Sequence, residues 1–317
     1  YSKLAVYKAG IKTWAAEDSL PLNKLPNYEK LVYPTWVKEL IDEENPPTYD
    51  NSSYKVVHVG YGKPKAYKKK GHIPGAIYLN TNKIEGKPDW NLLADQKLEN
   101  NFEELVITAD TTVVVYGNST MAASRAAVAM IYAGVEDVRL LNGNLSSWQQ
   151  AGYKLEKGVN QPKTTADFGV DIPRNPEYII NTEEAKEVLA DPEGELVSIR
   201  SWAEYIGETS GYSYIGNKGR IAGAVWGHAG SDPHHMEHYE NVDGTLKSYP
   251  QIKKMWKEAG ITADKKLSFF CGTGWRASEA FFAAHLMGWK DISVYDGGWY
   301  VWSNDGDNPV ESGTPKQ

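Results

Sequence analysis

The stretch of this 317-residue chain most suited to chemistry is Ser268–Ser278, SFFCGTGWRAS, which holds its single cysteine, Cys271. The apolar residues before the cysteine predict a buried strand, and a helix is predicted to begin near Arg276. Gly272 and Gly274 allow the connecting loop to turn tightly, so that its backbone N–H groups converge. Such a loop at a helix N-terminus favours a thiolate or a bound anion. The pattern therefore predicts an anion cradle beside a sulfur nucleophile.

Four further residues are candidates for the same site. Arg276 supplies a fixed positive charge suited to an oxyanion, while Thr273 and Trp275 complete the loop, Trp275 as a candidate wall of the pocket. Arg200 follows a predicted strand and should share the carboxyl edge of the sheet with the cysteine. It could hold the anionic group of a substrate, or it could simply pair with Glu204.

An internal repeat positions these residues. Thr112–Trp148 and Lys266–Trp302 align without a gap at an offset of 154, and GHIPGAI at Gly71–Ile77 matches GRIAGAV at Gly219–Val225. Each copy alternates short apolar runs with helical patterns, which predicts a parallel sheet with helices on both faces. The fold class is therefore α/β, with two tandem copies of one domain.

The repeat and the composition of the connecting segment suggest domain boundaries. Residues 31–157 form the first copy, 158–176 a linker rich in Pro, Thr and Gly, and 177–317 the second copy. Residues 1–30 do not resemble the beginning of either copy. We interpret them as the tail of a truncated third copy, the alternative being an extension that packs on the first domain.

The first copy lacks the chemical groups of the second. At offset 154, Gly117 stands in the place of Cys271 and Ala122 in the place of Arg276, while the residues expected to pack are matched. A lone cysteine is usually a buried structural residue. The selective loss of both groups from one copy favours a chemical role in the other, and predicts a first domain that is structural.

The amino-acid composition excludes several classes of binding partner. A net charge of −7 and a pI near 5.6 give no basic surface for nucleic acid, no apolar run is long enough to span a membrane, and one cysteine cannot form an intrachain disulfide. We expect neither a metal nor a cofactor: the spacing of the clustered histidines is not typical of a zinc site. Those histidines are His228, His234, His235 and His238.

The motifs GHIPGA, CGTGWRAS and YDGGWYVW resemble the rhodanese (sulfurtransferase) family over nearly the whole chain. The resemblance implies that Cys271 attacks the outer sulfur of a donor, becomes a persulfide held by the backbone N–H groups of residues 272–276, and passes the sulfur to a thiophilic acceptor such as cyanide or a thiol. It is strongest to multi-domain bacterial thiosulfate sulfurtransferases, many of them exported. No signal peptide is recognisable in the chain, so the compartment stays open.

Alternatives remain at this point. Thiosulfate is the favoured donor, yet Gly272 and Thr273 after the cysteine look more like the 3-mercaptopyruvate type, and Ser198 stands where the family usually has Asp. A non-catalytic sulfur-carrier or binding protein is a further alternative. Phosphatases of the Cdc25 kind are disfavoured, because their Cys-to-Arg loop has five intervening residues and this chain has four between Cys271 and Arg276.

Overall fold

The computed structural model describes residue 14 and residues 24–162, 164 and 166–315. Two five-stranded sheets, in which all neighbouring strands are parallel, organise this part of the chain. The first has the order β1-β7-β6-β2-β3 and the second β11-β9-β12-β13-β8. Read in the reverse direction, the second order is β8-β13-β12-β9-β11, and each of its strands is the repeat counterpart of the strand at the same place in the first sheet. The tandem α/β fold predicted from the repeat is therefore confirmed. The strands are β1 (Leu31–Val32), β2 (Tyr54–Gly60), β3 (Ile77–Asn80), β4 (Glu85–Gly86), β5 (Asn91–Leu92), β6 (Thr112–Gly117), β7 (Asp137–Leu141), β8 (Ile179–Ile180), β9 (Gly194–Ser198), β10 (Arg220–Ile221), β11 (Val225–Trp226), β12 (Lys266–Phe270), β13 (Ile292–Tyr295) and β14 (Val310–Glu311).

Helices cover both faces of each sheet, as the alternating pattern requires. The strands β4 and β5 form a short hairpin in the first domain, and β10 pairs with β14 in the second. The helices are α1 (Pro34–Ile41), α2 (Lys65–Lys70), α3 (Asp95–Glu104), α4 (Thr120–Ala133), α5 (Asn144–Gln150), α6 (Thr182–Ala190), α7 (Trp202–Tyr205), α8 (Tyr249–Glu258), α9 (Trp275–Leu286) and α10 (Gly298–Asn304).

The two domains meet through the alanine-rich helices α4 and α9. Phe282 and Leu286 of α9 belong to the apolar cluster of the first domain, and Val128 of α4 belongs to that of the second. Small side chains let the two helix backbones approach closely, so nearly every residue of both helices is buried. The interface is therefore a continuation of both cores.

Three further features bear on the sequence-based expectations. The proposed third-copy tail falls mostly on residues 1–23, which apart from Trp14 lie outside the described residues; just after it, Asn27 donates a hydrogen bond to the His285 carbonyl (2.7 Å) at the end of α9. In the predicted linker, Phe168 is buried beside Phe102 of the first domain. None of the described helices is long and apolar enough to cross a membrane.

Candidate active site

Cys271 lies at the carboxyl end of β12, the central strand of the second sheet, and is 1% exposed. Gly274 N–H donates a hydrogen bond to its Sγ (3.1 Å). Gly274 caps the N-terminus of α9 with φ 113°, a left-handed conformation that favours glycine. The predicted strand, cysteine loop and helix are thus observed, and the helix N-terminus lies beside the sulfur.

A second turn holds the loop from the opposite side. The N–H groups of Trp299 and Tyr300, in the first turn of α10, donate to the carbonyl oxygens of Cys271 (2.8 Å) and Gly272 (3.1 Å). Gly298 begins that helix at φ 55°, and a Cβ there would lie only 2.7 Å from the Gly272 oxygen. With their carbonyls engaged here, the peptides of the loop have a fixed orientation.

Tyrosines line the mouth of the loop. The ring of Tyr212 packs so closely on Gly272 that a Cβ at that position would lie 2.8 Å from the ring. Tyr212 stacks on Tyr214 with 5.2 Å between ring centroids, and the Tyr214 hydroxyl lies 3.4 Å from Thr273 Oγ1. Burial raises the pKa of both phenols, so they are neutral hydrogen-bonding groups at pH 7.

Two buried guanidiniums share one carboxylate beside the cysteine. Arg276 donates to Glu204 through both Nη atoms, at 2.7 and 2.9 Å. Arg200 approaches the same carboxylate less closely, with Nε 3.5 Å from Oε1, and donates from Nη1 to the Gly219 carbonyl (2.7 Å). All three side chains are inaccessible to solvent, so the cluster carries a net charge of +1.

The pKa values follow from this arrangement. Burial lowers the pKa of Arg200 to about 10, because Glu204 compensates it only in part and Arg276 repels it. Burial alone would raise the pKa of Glu204, but Arg276 and then Arg200 lower it to about 2. Burial also opposes the charge of Arg276, yet the carboxylate of Glu204, which accepts two hydrogen bonds from it, raises its pKa. Arg276 and Glu204 compensate each other at hydrogen-bond distance, so the uncompensated charge of the cluster beside the cysteine loop is mainly that of Arg200.

The structure places every residue proposed for the site around one loop. Thr273 lies at its outer side and Trp275 begins α9, where the indole Nε1 donates to Glu85 of the first domain (2.5 Å). The guanidinium of Arg276 is engaged by Glu204 and not directed freely into the loop. The sequence analysis missed Gly298 and Tyr212; the signal for Gly298 was its match at offset 154 to Asn144, a residue that also has positive φ (54°).

The corresponding loop of the first domain is closed by that asparagine. Gly117 N–H donates to Asn144 Oδ1 (3.0 Å), and Asn144 Nδ2 donates to Thr120 Oγ1 (2.7 Å). The Asn144 amide thus binds this loop at both Gly117 and Thr120, the residues that match Cys271 and Gly274. Within the described part of the chain, no group of three or more His, Cys, Asp or Glu side chains has an arrangement that could hold a metal ion.

Comparison with known proteins agrees with this geometry. The rhodanese-like domain matches the chain twice, over residues 33–151 and 181–305. The chain belongs to the rhodanese family. It is 48% identical to the thiosulfate sulfurtransferase YnjE of Escherichia coli K12, over 98% of this chain and 73% of that protein. As a rhodanese, the protein is a sulfurtransferase.

Solved structures extend the comparison. The anaerobic ergothioneine biosynthesis enzyme of Chlorobium limicola, in complex with its natural substrate trimethyl histidine, is 45% identical with a TM-score of 0.92, over 95% of this chain and 74% of that one. A complex of an EanB variant with ergothioneine covalently linked to a cysteine persulfide has the same identity and TM-score, over 96% of this rhodanese and 74% of that chain.

Proposed function

We propose that this rhodanese moves sulfane sulfur from thiosulfate to a thiophilic acceptor through a persulfide on Cys271. The Cys271 thiolate attacks the outer sulfur of thiosulfate, the S–S bond of the donor breaks, and sulfite leaves with the electron pair. Cyanide or a thiolate then attacks the outer sulfur of the persulfide, and the cysteine thiolate is regenerated. Each step, as written, uses only the sulfur of Cys271, the donor and the acceptor.

The observation that carries the proposal is the combination of Gly274 N–H on Sγ with a buried cluster of charge +1 beside it. An anionic donor and an anionic persulfide are both stabilised by fixed donors and positive charge in a buried site. Arg200 contributes the charge, Arg276 orients Glu204, and the N–H groups of residues 272–276 hold the outer sulfur. We assign Thr273 and Trp275 to the two sides of the entrance.

Thiocyanate formation from thiosulfate and cyanide tests this function, with intact mass detection of a 32 Da adduct before cyanide is added. Cys271→Ser is the matched control, since no second cysteine can carry sulfur. Turnover by that variant would reject the mechanism. An adduct that forms but never leaves would indicate a sulfur carrier, and a much larger specificity constant for 3-mercaptopyruvate would replace the donor.

A second acceptor is favoured by the aromatic residues at the entrance. Trp90 lies 6.4 Å from Tyr214, Tyr61 lies 6.2 Å from Trp90, and Tyr300 lies 6.1 Å from Tyr214, as centroid distances. Exposed aromatic faces suit a quaternary ammonium group, such as that of trimethyl histidine. We propose trimethyl histidine as an alternative acceptor, with transfer of the persulfide sulfur to a ring carbon and of the displaced proton to the thiolate.

Incubation of the persulfide form with trimethyl histidine, beside unmethylated histidine as the control, tests the alternative acceptor. Mass detection of ergothioneine is the expected result. If neither compound discharges the persulfide while cyanide does, trimethyl histidine is excluded.

A further inference from the structure

Arg125 of the first domain reaches into the second domain at the cysteine loop. It lies on α4, is inaccessible to solvent, and its guanidinium lies next to Gly274. A Cβ on Gly274 would lie 3.0 Å from both Cζ and Nη1 of Arg125. The residue whose N–H donates to Cys271 Sγ therefore rests directly on a guanidinium from the other domain.

The same guanidinium holds the loop through two carboxylates. Its Nη2 donates to Asp296 Oδ1 (2.5 Å), and Asp296 is followed directly by Gly297 and by α10, whose first N–H groups fix the loop carbonyls. Its Nε donates to Glu85 Oε2 (3.0 Å), and the other oxygen of Glu85 accepts from Trp275 Nε1. Arg125 is thus connected to the loop at its helix cap, at its first helical residue and at the turn that covers its carbonyls.

This arrangement is not symmetric between the two copies. At offset 154 the counterpart of Arg125 is Glu279, so the second domain presents an acid and not a guanidinium at the matching helix position. A cation near a helix N-terminus is disfavoured by the helix dipole unless anions are close. Arg125 Nη1 also has no hydrogen-bond partner among the described residues. A residue kept only for packing would not need a buried guanidinium at this position.

We propose that Arg125 is a positioning residue of the sulfur-transfer reaction, through which the domain without a nucleophile holds the Cys271 loop in its anion-binding geometry. The first domain is then part of the catalytic unit. This inference rests on the proposed persulfide function for its effect on turnover, but its effect on the loop geometry can be measured without any sulfur transfer.

The test compares Arg125→Met with Arg139→Met. Arg139 is also buried in the first domain, and its hydrogen bonds within the described part of the chain go to Asp137 and Thr48 of the same domain. The first measurement is the ratio of the alkylation rates of Cys271 by iodoacetate and by neutral iodoacetamide. Both reagents alkylate the same sulfur, so the accessibility of Cys271 and its thiolate fraction affect the two rates equally and cancel in the ratio. The ratio therefore reports how strongly the loop attracts an anion. We expect at least a fivefold fall for Arg125→Met and less than a twofold change for Arg139→Met.

The second measurement is turnover. For Arg125→Met we expect kcat with thiosulfate and cyanide to fall at least tenfold, with a smaller change in KM, at a temperature where both variants are folded. An alkylation ratio and kcat within twofold of those of Arg139→Met would overturn the proposal. If the parent itself lacks turnover, the proposed function fails while the alkylation ratio still decides this inference.

Arg125→Lys is a second variant for the case in which Arg125→Met does not fold, because lysine keeps the buried positive charge. Lysine cannot bind two carboxylates as a fork. We expect its kcat to stay at least fivefold below that of the parent, whereas full recovery would show that charge alone acts and would refute positioning.

Discussion

Replacing Arg200 with Met should separate activity from stability. The fall in the pKa of Arg200 from 12.5 to about 10 corresponds to about 3 kcal/mol of electrostatic cost in the folded protein, at about 1.4 kcal/mol for each pKa unit. Methionine removes that cost but leaves the Gly219 carbonyl without its donor, a loss of about 1–3 kcal/mol. The two effects nearly cancel, so the free energy of unfolding should stay within about 2 kcal/mol of the parent.

Activity should not be preserved in the same variant. Without Arg200 the cluster keeps Arg276 and Glu204 as a neutral pair, and the net charge beside Cys271 falls from +1 to zero. The loss of one charged interaction with an anionic donor, about 1.5–3 kcal/mol, lowers the kcat/KM for thiosulfate about 10–150-fold.

Arg276→Met is the comparison. It leaves Glu204 with Arg200 alone, at 3.5 Å, and should cost about 3–5 kcal/mol of stability in addition to activity. Urea unfolding and the kcat/KM for thiosulfate, measured on both variants, check these values. The reasoning is refuted if Arg200→Met loses as much stability as Arg276→Met and keeps the kcat/KM of the parent, because Arg200 would then be a structural residue.

Three further predictions follow from the same contacts. Glu204→Gln should lower KM for thiosulfate about 3–10-fold by raising the cluster charge, while unfolding becomes easier by about 3–5 kcal/mol in urea. Gly117→Cys combined with Cys271→Ser should show no thiocyanate formation, because Asn144 already satisfies the loop and a Cβ at 117 would lie 2.6 Å from the Val59 oxygen; turnover would show that loop geometry matters little. Burial lowers the pKa of His58 from 6.5 to about 4, so the neutral ring contributes stability that is present above pH 6.5 and is lost as the pH falls toward 4, about 3 kcal/mol in all. His58→Phe should therefore flatten the decline of the melting temperature over that range, and an unchanged slope contradicts it.

The strands and helices of the second domain could be predicted because each is encoded locally. The run before Cys271 is continuously apolar, which is typical of a central parallel strand, and two glycines before a helical pattern define the turn. The offset of 154 added the tandem architecture, since matched residues at constant spacing imply matched elements. Both the local patterns and the repeat can be recognised without knowing which helices and strands pack against each other.

The contacts that complete the site could not be predicted in the same way. Arg125 and Asp296 are 171 residues apart, and nothing in either neighbourhood indicates that α4 packs on α9 in the register that joins them. The pairing of Arg276 with Glu204 could not be predicted from the sequence either. The position of Arg276 in the loop suggested a cation without a partner. The carboxylate that neutralises it belongs to Glu204, which follows another strand and lies 72 residues earlier in the chain. Electrostatic partners across a fold are determined by docking, not by local pattern.

The equivalent helices α4 and α9 of the two copies form the interface between the domains. Two copies that pack through equivalent helices place each helix close to the other copy's loop, and the buried alanines of α4 and α9 leave room for one large side chain there. In one direction the contact is Arg125 on Gly274, beside a nucleophile. In the first domain, the Asn144 amide binds the loop through the Gly117 N–H group and Thr120 Oγ1. Because Gly117 stands in the place of Cys271, only the loop of the second domain has a nucleophile near which the guanidinium of Arg125 could act. The same interface therefore joins a copy without a nucleophile to the cysteine loop of the copy that has one.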